Sequence, residues 1–534
     1  MPLPPPSPPY RVIYNWDGAP HGYTPVPQSI EDFLDGVYAP LRDTQVDALF
    51  WCVGEHTARW QSQRLEQLGD LHDRRYESAA AYTHTENIRL MLERGVDPQA
   101  EIIRRGHELG IAVYGSLRMN DNHFDGAQLA DLPRLHHTEL TELRRQHPEW
   151  LLGNRTAEWF ALSWDLSVPE VRRHRLDHVR ELCENYEWDG IELDWQRHAF
   201  HLPRDLSYRL RWTLTDLQRA AREITRKRAE QLGRPFHLAA RVSGSLRGCD
   251  DIGYDVETWV REGLVDVLIP AGNAATDPAI EVAEFVALCE PHGVAVYPGF
   301  DGGLPGGSTA PEGPIRKDRL RTRAIGARHR HLGATGIYVF NWHSGAIGPR
   351  VDMLHEIGED ETLAPTDKVY AATHRVVVEE GPWRGAYRGD RLRGQVPVPL
   401  CKSLTDTGPV IFIELADETT AAPPLAVELR IRIDEWIEGD GVAVRWNGEE
   451  LSGGEPHYDL PASNADLNAV PLPISQVSSA AWLRFALSPD SVQAGCHTVE
   501  VVLRRRHPQL ACDLQLTDVE VAVAHTSEYA ESLL

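Results

Sequence analysis

The chain has 534 residues, of which 42% are hydrophobic and 25% charged, and its formal net charge is −25. This length predicts more than one domain, although a single α/β barrel can absorb about 250 residues. So acidic a surface repels nucleic-acid backbones and anionic lipid headgroups, and no hydrophobic run approaches the roughly 20 residues of a membrane-spanning helix. We therefore expect neither nucleic acid nor a membrane as a partner.

The start of the chain and its cysteines bear on where the protein works. The first ten residues are rich in proline and lack the charged and apolar regions of a secretory signal. The seven cysteines show no metal or redox spacing and are expected to be reduced, buried thiols. These features favour a cytoplasmic protein; the alternative is a secreted protein whose signal peptide is absent from this sequence. A homo-oligomer is compatible with both.

The first domain, residues 1–360, alternates short apolar runs with longer amphipathic stretches. Predicted strands lie at residues 11–17, 46–53, 111–117, 190–194, 237–243, 265–270, 294–298 and 336–341. Helical periodicity predicts helices at 86–93, 98–109, 169–186, 206–232 and 277–292. Eight strands separated by helical sequence indicate a (β/α)8 TIM barrel. An open doubly wound sheet is disfavoured, because no Gly-x-Gly-x-x-Gly turn follows the first strand.

The pattern changes after a predicted linker at residues 361–374. Residues 375–534 alternate with period two in runs at 375–378, 409–415, 426–433, 442–448, 482–487, 498–503 and 516–523. Such alternation, with turns such as Asn447-Gly448, predicts an antiparallel β-sandwich. This module either binds carbohydrate or supports the barrel, and the sequence leaves both readings open.

The chemistry is concentrated in the fourth predicted strand, residues 190–194. Ile191 and Leu193 point to one face of this strand. Glu192 and Asp194 point to the other, which we expect to be the barrel interior, with Asp194 nearer the C-terminal mouth where TIM-barrel active sites lie. Glu192 needs a partner at such depth. Arg241 on the next predicted strand is expected to neutralise it.

Three stretches of this domain resemble glycosyl-hydrolase-like family 10. They are residues 147–152 (His-Pro-Glu-Trp-Leu-Leu), 161–172 (Ala-Leu-Ser-Trp-Asp-Leu-Ser-Val-Pro-Glu-Val-Arg) and 186–198 (Tyr-Glu-Trp-Asp-Gly-Ile-Glu-Leu-Asp-Trp-Gln-Arg-His), and residues 255–266 also match the approach to the family's sixth strand. The resemblance spans roughly residues 11–356, with specific motifs only in its centre. It implies a TIM barrel with glycosidase-type chemistry and a conspicuous acid on the fourth strand, here Asp194.

The chain departs from that family in the predicted mouth. The family's His is Glu192 here, its Arg-Tyr-Pro is Arg197-His198-Ala199, and its Pro-Gln-x-Tyr is residues 270–273, ending in Asn273. The sequence around Glu192 and Asp194 more closely resembles that of uncharacterised bacterial barrel proteins, which contain Asp-Gly-Ile-Glu-Leu-Asp-Phe-x-Arg-His. The departures leave substrate and mechanistic detail open.

A glycosidase needs two carboxyl groups, one to protonate the leaving group and one to act as nucleophile or base. Asp194 is the first candidate. Asp301, after the seventh strand, is the preferred second, and Glu55, after the second strand, comes next. Asp121, after the third strand, is a weaker candidate and is kept as a substrate-binding residue. The separation of the pair decides between retention and inversion of the anomeric carbon.

Sugar binding further requires planar donors and aromatic platforms near the strand ends. Asp17 either binds a hydroxyl group or caps its turn, and Trp342 either stacks on a sugar or covers the barrel. The complete predicted substrate-binding set is Asp17, Arg118, Asn120, Asp121, Glu192, Arg197, His198, Arg241, Asn273, Tyr297, Asn341 and Trp342. The His-rich stretch at residues 135–138 lacks carboxylates at ligand spacing, so no metal site and no cofactor is predicted.

The sequence thus favours a glycoside hydrolase that cleaves an oligo- or polysaccharide, as in carbohydrate metabolism or polysaccharide degradation. One alternative is a non-catalytic glycan-binding protein on a decayed barrel. Another is a different carbohydrate-active enzyme on the same barrel, such as a deacetylase, esterase or lyase. Serine chemistry has no support, because no Gly-x-Ser-x-Gly elbow is present.

Overall fold

The computed structural model describes residues 8–17, 24–120, 122–124, 126–198, 200–272, 276–301, 312, 314–342, 350–374, 394–417, 423–458 and 479–533. Parallel strands close into a barrel, and an antiparallel β-sandwich follows it. The predicted fold class is therefore confirmed.

Nine short strands build the closed barrel, since the seventh barrel strand is formed in two parts. The strands are β1 (Val12–Trp16), β2 (Val46–Gly54), β3 (Ala112–Arg118), β4 (Gly190–Asp194), β5 (His237–Ser243), β6 (Val267–Ala271), β7 (Ala295–Val296), β8 (Gly299–Phe300) and β9 (Ile337–Phe340). All neighbouring pairs are parallel, β9 pairs with β1, and β5 pairs with β6. Both β7 and β8 pair with β6, so they occupy one position in the barrel.

Helices alternate with these strands and cover the barrel from outside. They are α1 (Ile30–Tyr38), α2 (Ala79–Glu93), α3 (Pro98–Glu108), α4 (Glu142–Gln146), α5 (Pro169–Asn185), α6 (Ser207–Leu232), α7 (Leu246–Ile252), α8 (Val256–Arg261), α9 (Val282–Cys289), α10 (Pro314–His331) and α11 (Asp360–Leu363). Local sequence sets several starts. Asp97 accepts a hydrogen bond from the Gln99 amide and precedes proline in the first turn of α3, an arrangement that satisfies otherwise unpaired amides.

The barrel has two apolar layers, which follow from strand alternation. Residues of one parity, such as Val12, Ile191 and Leu193, pack outward against the helices. Residues of the other parity, such as Ile13 and Phe50, fill the interior. Because side chains alternate along each strand, the inward-facing polar residues near the C-terminal strand ends lie in the mouth of the barrel.

The C-terminal domain consists of two antiparallel sheets. One has the order β10-β19-β13-β17-β16, with β11 also paired to β19; the other has the order β12-β18-β14-β15. Their strands are β10 (Lys368–Ala371), β11 (Val398–Leu400), β12 (Val410–Leu415), β13 (Ala426–Asp434), β14 (Gly441–Trp446), β15 (Glu449–Glu450), β16 (Pro456–His457), β17 (Ala480–Leu487), β18 (Gly495–Arg505) and β19 (Leu514–Ala524), and helix α12 (Ser527–Leu533) follows. Strand β10 lies inside the predicted linker, whereas the run predicted at 375–378 lies outside the described residues.

A network of buried charges joins the two domains. On α10, the ammonium group of Lys317 lies 2.6 Å from Glu520 Oε1 of β19, and Arg321 also binds this carboxylate. Arg430 on β13 binds Glu312, which comes from the barrel domain. Because these side chains are buried, separating the domains would expose or unpair several charges.

All seven cysteines are free, but only four are buried, while Cys401, Cys496 and Cys512 are exposed. The expectation that every thiol is buried was therefore wrong for the sandwich cysteines. In the part of the chain that the structure describes, no helix is both long and apolar enough to cross a bilayer.

Candidate active site at the barrel mouth

Two carboxylates at the barrel mouth share one arginine. Arg241 Nη1 lies 3.2 Å from Asp194 Oδ2, and its Nη2 lies 3.1 Å from Asp301 Oδ2. The backbone amides of Gln196 and Arg197 donate to Asp194 Oδ1 at 3.1 Å and 3.0 Å. Asp194 and Arg241 are fully buried, whereas 7% of the Asp301 side chain remains exposed. The two acids therefore converge on one guanidinium, with Asp301 on the solvent side.

Strand register explains why Arg241 binds these acids. In the β4–β5 ladder Asp194 stands opposite Arg241, whereas Glu192 stands opposite Ala239. Arg241 therefore forms its ion pairs with Asp194 and Asp301, and not with Glu192 as we expected. Arg241 reaches the level of the mouth, one pleat above Glu192.

A second group of charges closes the other side of the mouth. Arg118, the last residue of β3, lies 2.9 Å from Glu55 through its Nη1 atom and binds Asp17 through Nη2. The Asp17 amide donates to Asn341 Oδ1 at 3.0 Å, and the Asn341 side chain donates back to the Asp17 carboxylate. The predicted residues Asp17, Glu55, Arg118 and Asn341 are therefore brought together from four strand ends.

Phe340 stands between the two groups. The guanidinium carbons of Arg241, Arg197 and Arg118 lie 4.8, 5.3 and 5.7 Å from the centre of its ring. Arg197 also approaches Asp301, with 3.8 Å between Nη1 and Oδ2. Stacking on one aromatic ring holds the three arginines at fixed positions around it. The side chains of Asp17 and Arg197 are 24% and 15% exposed, so solvent reaches the mouth from their side.

Glu192 lies below this layer and is held by neutral groups. Asn15 donates to Glu192 Oε2 at 3.1 Å, Ser116 donates to the same oxygen, and the Tyr338 hydroxyl also interacts with the carboxyl group. Burial, and then the negative charge of Asp194, raise the pKa of Glu192 from its ordinary 4.5 to about 8. Glu192 therefore keeps its proton at neutral pH, one pleat beneath Asp194.

Two other predicted residues lie near the mouth but bind protein atoms. Asn120 is completely buried; it donates to the carbonyl oxygens of Trp164 and Phe200 and accepts from the Trp164 amide at 2.8 Å. His198 has a positive φ of 60° and accepts the Asn122 amide at its Nδ1 atom, 2.8 Å away. Both side chains brace the loops after β3 and β4.

The structure does not bring Tyr297 to the mouth. Its hydroxyl accepts the backbone amide of Tyr10 at 2.7 Å, beside the start of β1 and therefore at the opposite end of the barrel. We predicted a strand ending at residue 298, but the barrel strand resumes as β8, so that Asp301 follows its true C-terminal end. Trp342 is fully buried against Phe300, with 5.6 Å between ring centres.

Two predicted residues, Asp121 and Asn273, lie outside the described residues. Across the described ranges, no group of three or more His, Cys, Asp and Glu side chains is arranged to hold a metal ion.

Four inward-facing residues in and beneath the mouth were not predicted from the sequence: Asn15, Ser116, Tyr338 and Phe340. Asn15 and Ser116 point into the barrel from β1 and β3 and bind Glu192, while Tyr338 and Phe340 occupy successive inward positions of β9. The same alternation that placed Asp194 inside would have found them, had it been applied to every strand.

Comparisons with known proteins return fold similarities only. No protein-family model matches the chain, and no curated protein sequence matches it. The glycoside hydrolase family 18 N-acetylglucosaminidase from Paenibacillus barengoltzii is 14% identical over 54% of this chain and 68% of that one, with a TM-score of 0.28. The PgaB (BpsB) glycoside hydrolase domain from Bordetella bronchiseptica is 11% identical over 66% and 99%, with a TM-score of 0.37.

A third similar structure is chitinase ChiW from Paenibacillus sp. str. FPU-7, which is 10% identical over 96% of this chain, with a TM-score of 0.34. The present chain spans about half of it, 54% of its length. The structural neighbours thus include glycoside hydrolases. Similarities this weak do not identify a family or an activity for this chain.

Proposed function

We propose that the protein is a glycoside hydrolase whose carboxylate pair is Asp194 and Asp301. The observation that carries the proposal is that these acids, from the ends of two barrel strands, meet at Arg241 in the C-terminal mouth. Glycosidic hydrolysis uses two carboxyl groups that flank the scissile bond. Glu55, held by Arg118, is the alternative second acid.

The surroundings of the two acids suggest different roles. Asp194 accepts from Arg241 and two backbone amides, donors that stabilise a carboxylate anion. Such an anion can act as nucleophile or base, or stabilise positive charge on the sugar ring. Asp301 lies nearer solvent, where it can protonate the leaving oxygen once a sugar displaces its contact with Arg241. Glu192 lies one pleat below Asp194 among neutral hydrogen-bond donors, and we infer that it limits the negative charge beneath Asp194 rather than contacting the sugar.

We further propose an oligo- or polysaccharide substrate, with no cofactor required. The resemblance to glycosyl-hydrolase-like family 10 remains a prediction from the motifs around Asp194. The domain limits predicted from the sequence, 1–360 for catalysis, 361–374 for the linker and 375–534 for an accessory sandwich, remain predictions too.

A second candidate, glycan binding without hydrolysis, is favoured by one specific observation. Each of four mouth carboxylates, namely Asp17, Glu55, Asp194 and Asp301, is paired with an arginine. A general acid has to carry a proton, and an arginine partner favours the ionised form.

The deciding experiment is a screen of defined glycans with the wild type, Asp194→Asn and Asp301→Asn, following both hydrolysis and binding. We expect each substitution to lower turnover at least about 100-fold, because loss of one acid or base group costs about that much, while binding is retained. New reducing ends show that a glycosidic bond has been cleaved. The absence of released acetate excludes a deacetylase, and the absence of an unsaturated product excludes a lyase.

The matched control is Asp47→Asn. Asp47 also binds an arginine, with 2.8 Å between its Oδ1 and Arg11 Nη2, but it lies at the start of β2, at the other end of the barrel. Turnover of this variant should equal that of the wild type. Near-full activity of both mouth variants would overturn the site assignment, and glycan binding by an inactive wild type would establish the second candidate.

A further inference from the structure

A cluster of buried side chains lies beside the mouth, which we call the buried arginine cluster. Its members are His56, Phe124, Arg144, Trp164 and Arg175. The Arg144 guanidinium lies over two aromatic rings, 4.6 Å from the centre of Trp164 and 4.9 Å from that of Phe124. Its Nη2 atom lies 3.2 Å from His56 Nδ1. Arg175 donates to the carbonyl oxygens of Glu55 and Arg118 at 2.6 Å and 2.7 Å.

The two arginines carry positive charge that no carboxylate binds directly among the described residues. The acids that act on them electrostatically have other partners: Glu139 pairs with Arg59 at 3.3 Å, and Glu55 pairs with Arg118 at 2.9 Å. Glu66, which also acts on Arg144, accepts the backbone amides of Glu142 and Leu143. Burial lowers the pKa of Arg144 and of Arg175 to about 9, and their mutual repulsion adds to this for Arg144. Both guanidinium groups are thus charged at neutral pH, and an uncompensated buried charge is costly.

Several N–H groups of the cluster have no acceptor among the residues that the structure describes. They are Nε and Nη1 of Arg144, Nε of Arg175 and the indole Nε1 of Trp164. Buried donors are nearly always hydrogen-bonded in folded proteins, because an unsatisfied one costs the full desolvation of the group. Charge and hydrogen bonding therefore require the same thing, a negatively charged acceptor.

We propose that the buried arginine cluster binds a small monovalent anion, chloride in physiological solution, against the free edge of Arg144. Because the Trp164 and Phe124 rings lie against this guanidinium, we infer that a ligand meets its N–H edge. Both arginines are fully buried, which favours a small ion with a low dehydration cost over phosphate or a substrate group. The bound anion would steady Arg175 and, through it, the carbonyl groups of Glu55 and Arg118 at the mouth.

The first test compares thermal unfolding in sodium chloride with that in sodium gluconate at equal ionic strength. An anion bound only by the folded state raises the unfolding midpoint, here by on the order of 2 °C at saturating chloride. Arg144→Met, which keeps an unbranched side chain against the rings, should abolish the difference. Arg172→Met is the matched control: Arg172 also stacks on a tryptophan, 5.9 Å from the ring centre of Trp212, and this variant should keep the chloride effect.

The second test needs no variant and decides the matter even if Arg144→Met fails to fold. Crystals of the wild type are soaked in sodium bromide, and anomalous scattering locates bromide. We expect a peak within hydrogen-bonding distance of Arg144 Nε or Nη1. Density there without an anomalous signal would mean water, and together with equal midpoints in chloride and gluconate it would overturn the proposal. Neither measurement depends on glycosidase activity.

Discussion

The barrel mouth and the interface between the domains bury the same kinds of charged side chain in different places. In the mouth, Arg241 joins Asp194 and Asp301 at the ends of parallel strands. At the interface, Lys317 and Arg321 join Glu520, which lies within a strand and faces α10. The mouth opens to solvent beside Asp17 and Arg197, whereas the interface pairs are enclosed by two domains.

Buried, paired charge therefore does not by itself mark an active site. Structural ion-pair networks perturb pKa values as strongly as functional ones do: Lys317, Arg321 and Arg430 hold the pKa of Glu520 at about 2 despite its burial. What distinguishes the mouth is its position at the C-terminal ends of the barrel strands and its partial access to solvent.

Loss of the central carboxylate of the domain interface is expected to lower the free energy of unfolding more than any other change considered. Glu520→Gln leaves Lys317 and Arg321 buried without their counter-charge, and we expect it to lower the free energy of unfolding by about 3–5 kcal/mol. Chemical denaturation measures this change. The control is Glu528→Gln, because Glu528 pairs with Arg316 while 84% exposed, and the loss there should stay below about 1 kcal/mol. Equal losses in the two variants would mean that the interface network does not stabilise the fold.

A smaller effect is expected in the pH dependence of the free energy of unfolding, through Glu192. The pKa of Glu192 is raised on folding, so its contribution to stability is complete below about 4.5 and is lost as the pH rises through about 8. Glu192→Gln is neutral at every pH. Between pH 5 and 8.5 the unfolding free energy of the wild type should therefore fall, relative to that of the variant, by on the order of a few kcal/mol. Urea denaturation measures the free energy of unfolding at each pH. The same pH dependence in both proteins would contradict the raised pKa of Glu192.

The smallest effect tests the opposite end of the barrel. Tyr297→Phe removes only the acceptor of the Tyr10 amide, and we expect a loss of about 1–2 kcal/mol in unfolding free energy. Hydrolysis or glycan binding should be unchanged, because Tyr297 is remote from Asp194. A large fall in activity with little change in stability would restore Tyr297 to the substrate-binding set.

Much of the fold follows from local sequence. Alternation with period two, interrupted by helical periodicity, located all eight barrel positions, and β4 and β5 have the predicted limits. The prediction of the seventh strand was less accurate, because residues 297–298 interrupt this strand between β7 and β8. For this reason the strand was predicted to end at residue 298 and Tyr297 was expected at the mouth, whereas its hydroxyl lies at the opposite end of the barrel.

The barrel, the sandwich and the inward direction of Glu192 and Asp194 could be predicted from the sequence, since they depend on alternation along single strands. Which charged side chains bind each other depends on contacts between strands that are distant in the sequence. Arg241 binds Asp194 because of the register between β4 and β5, and Asp301 because closure of the barrel brings in a strand end 60 residues away. Hydrogen-bond ladders and barrel closure set such contacts, and neither is written in the spacing of residues along the chain.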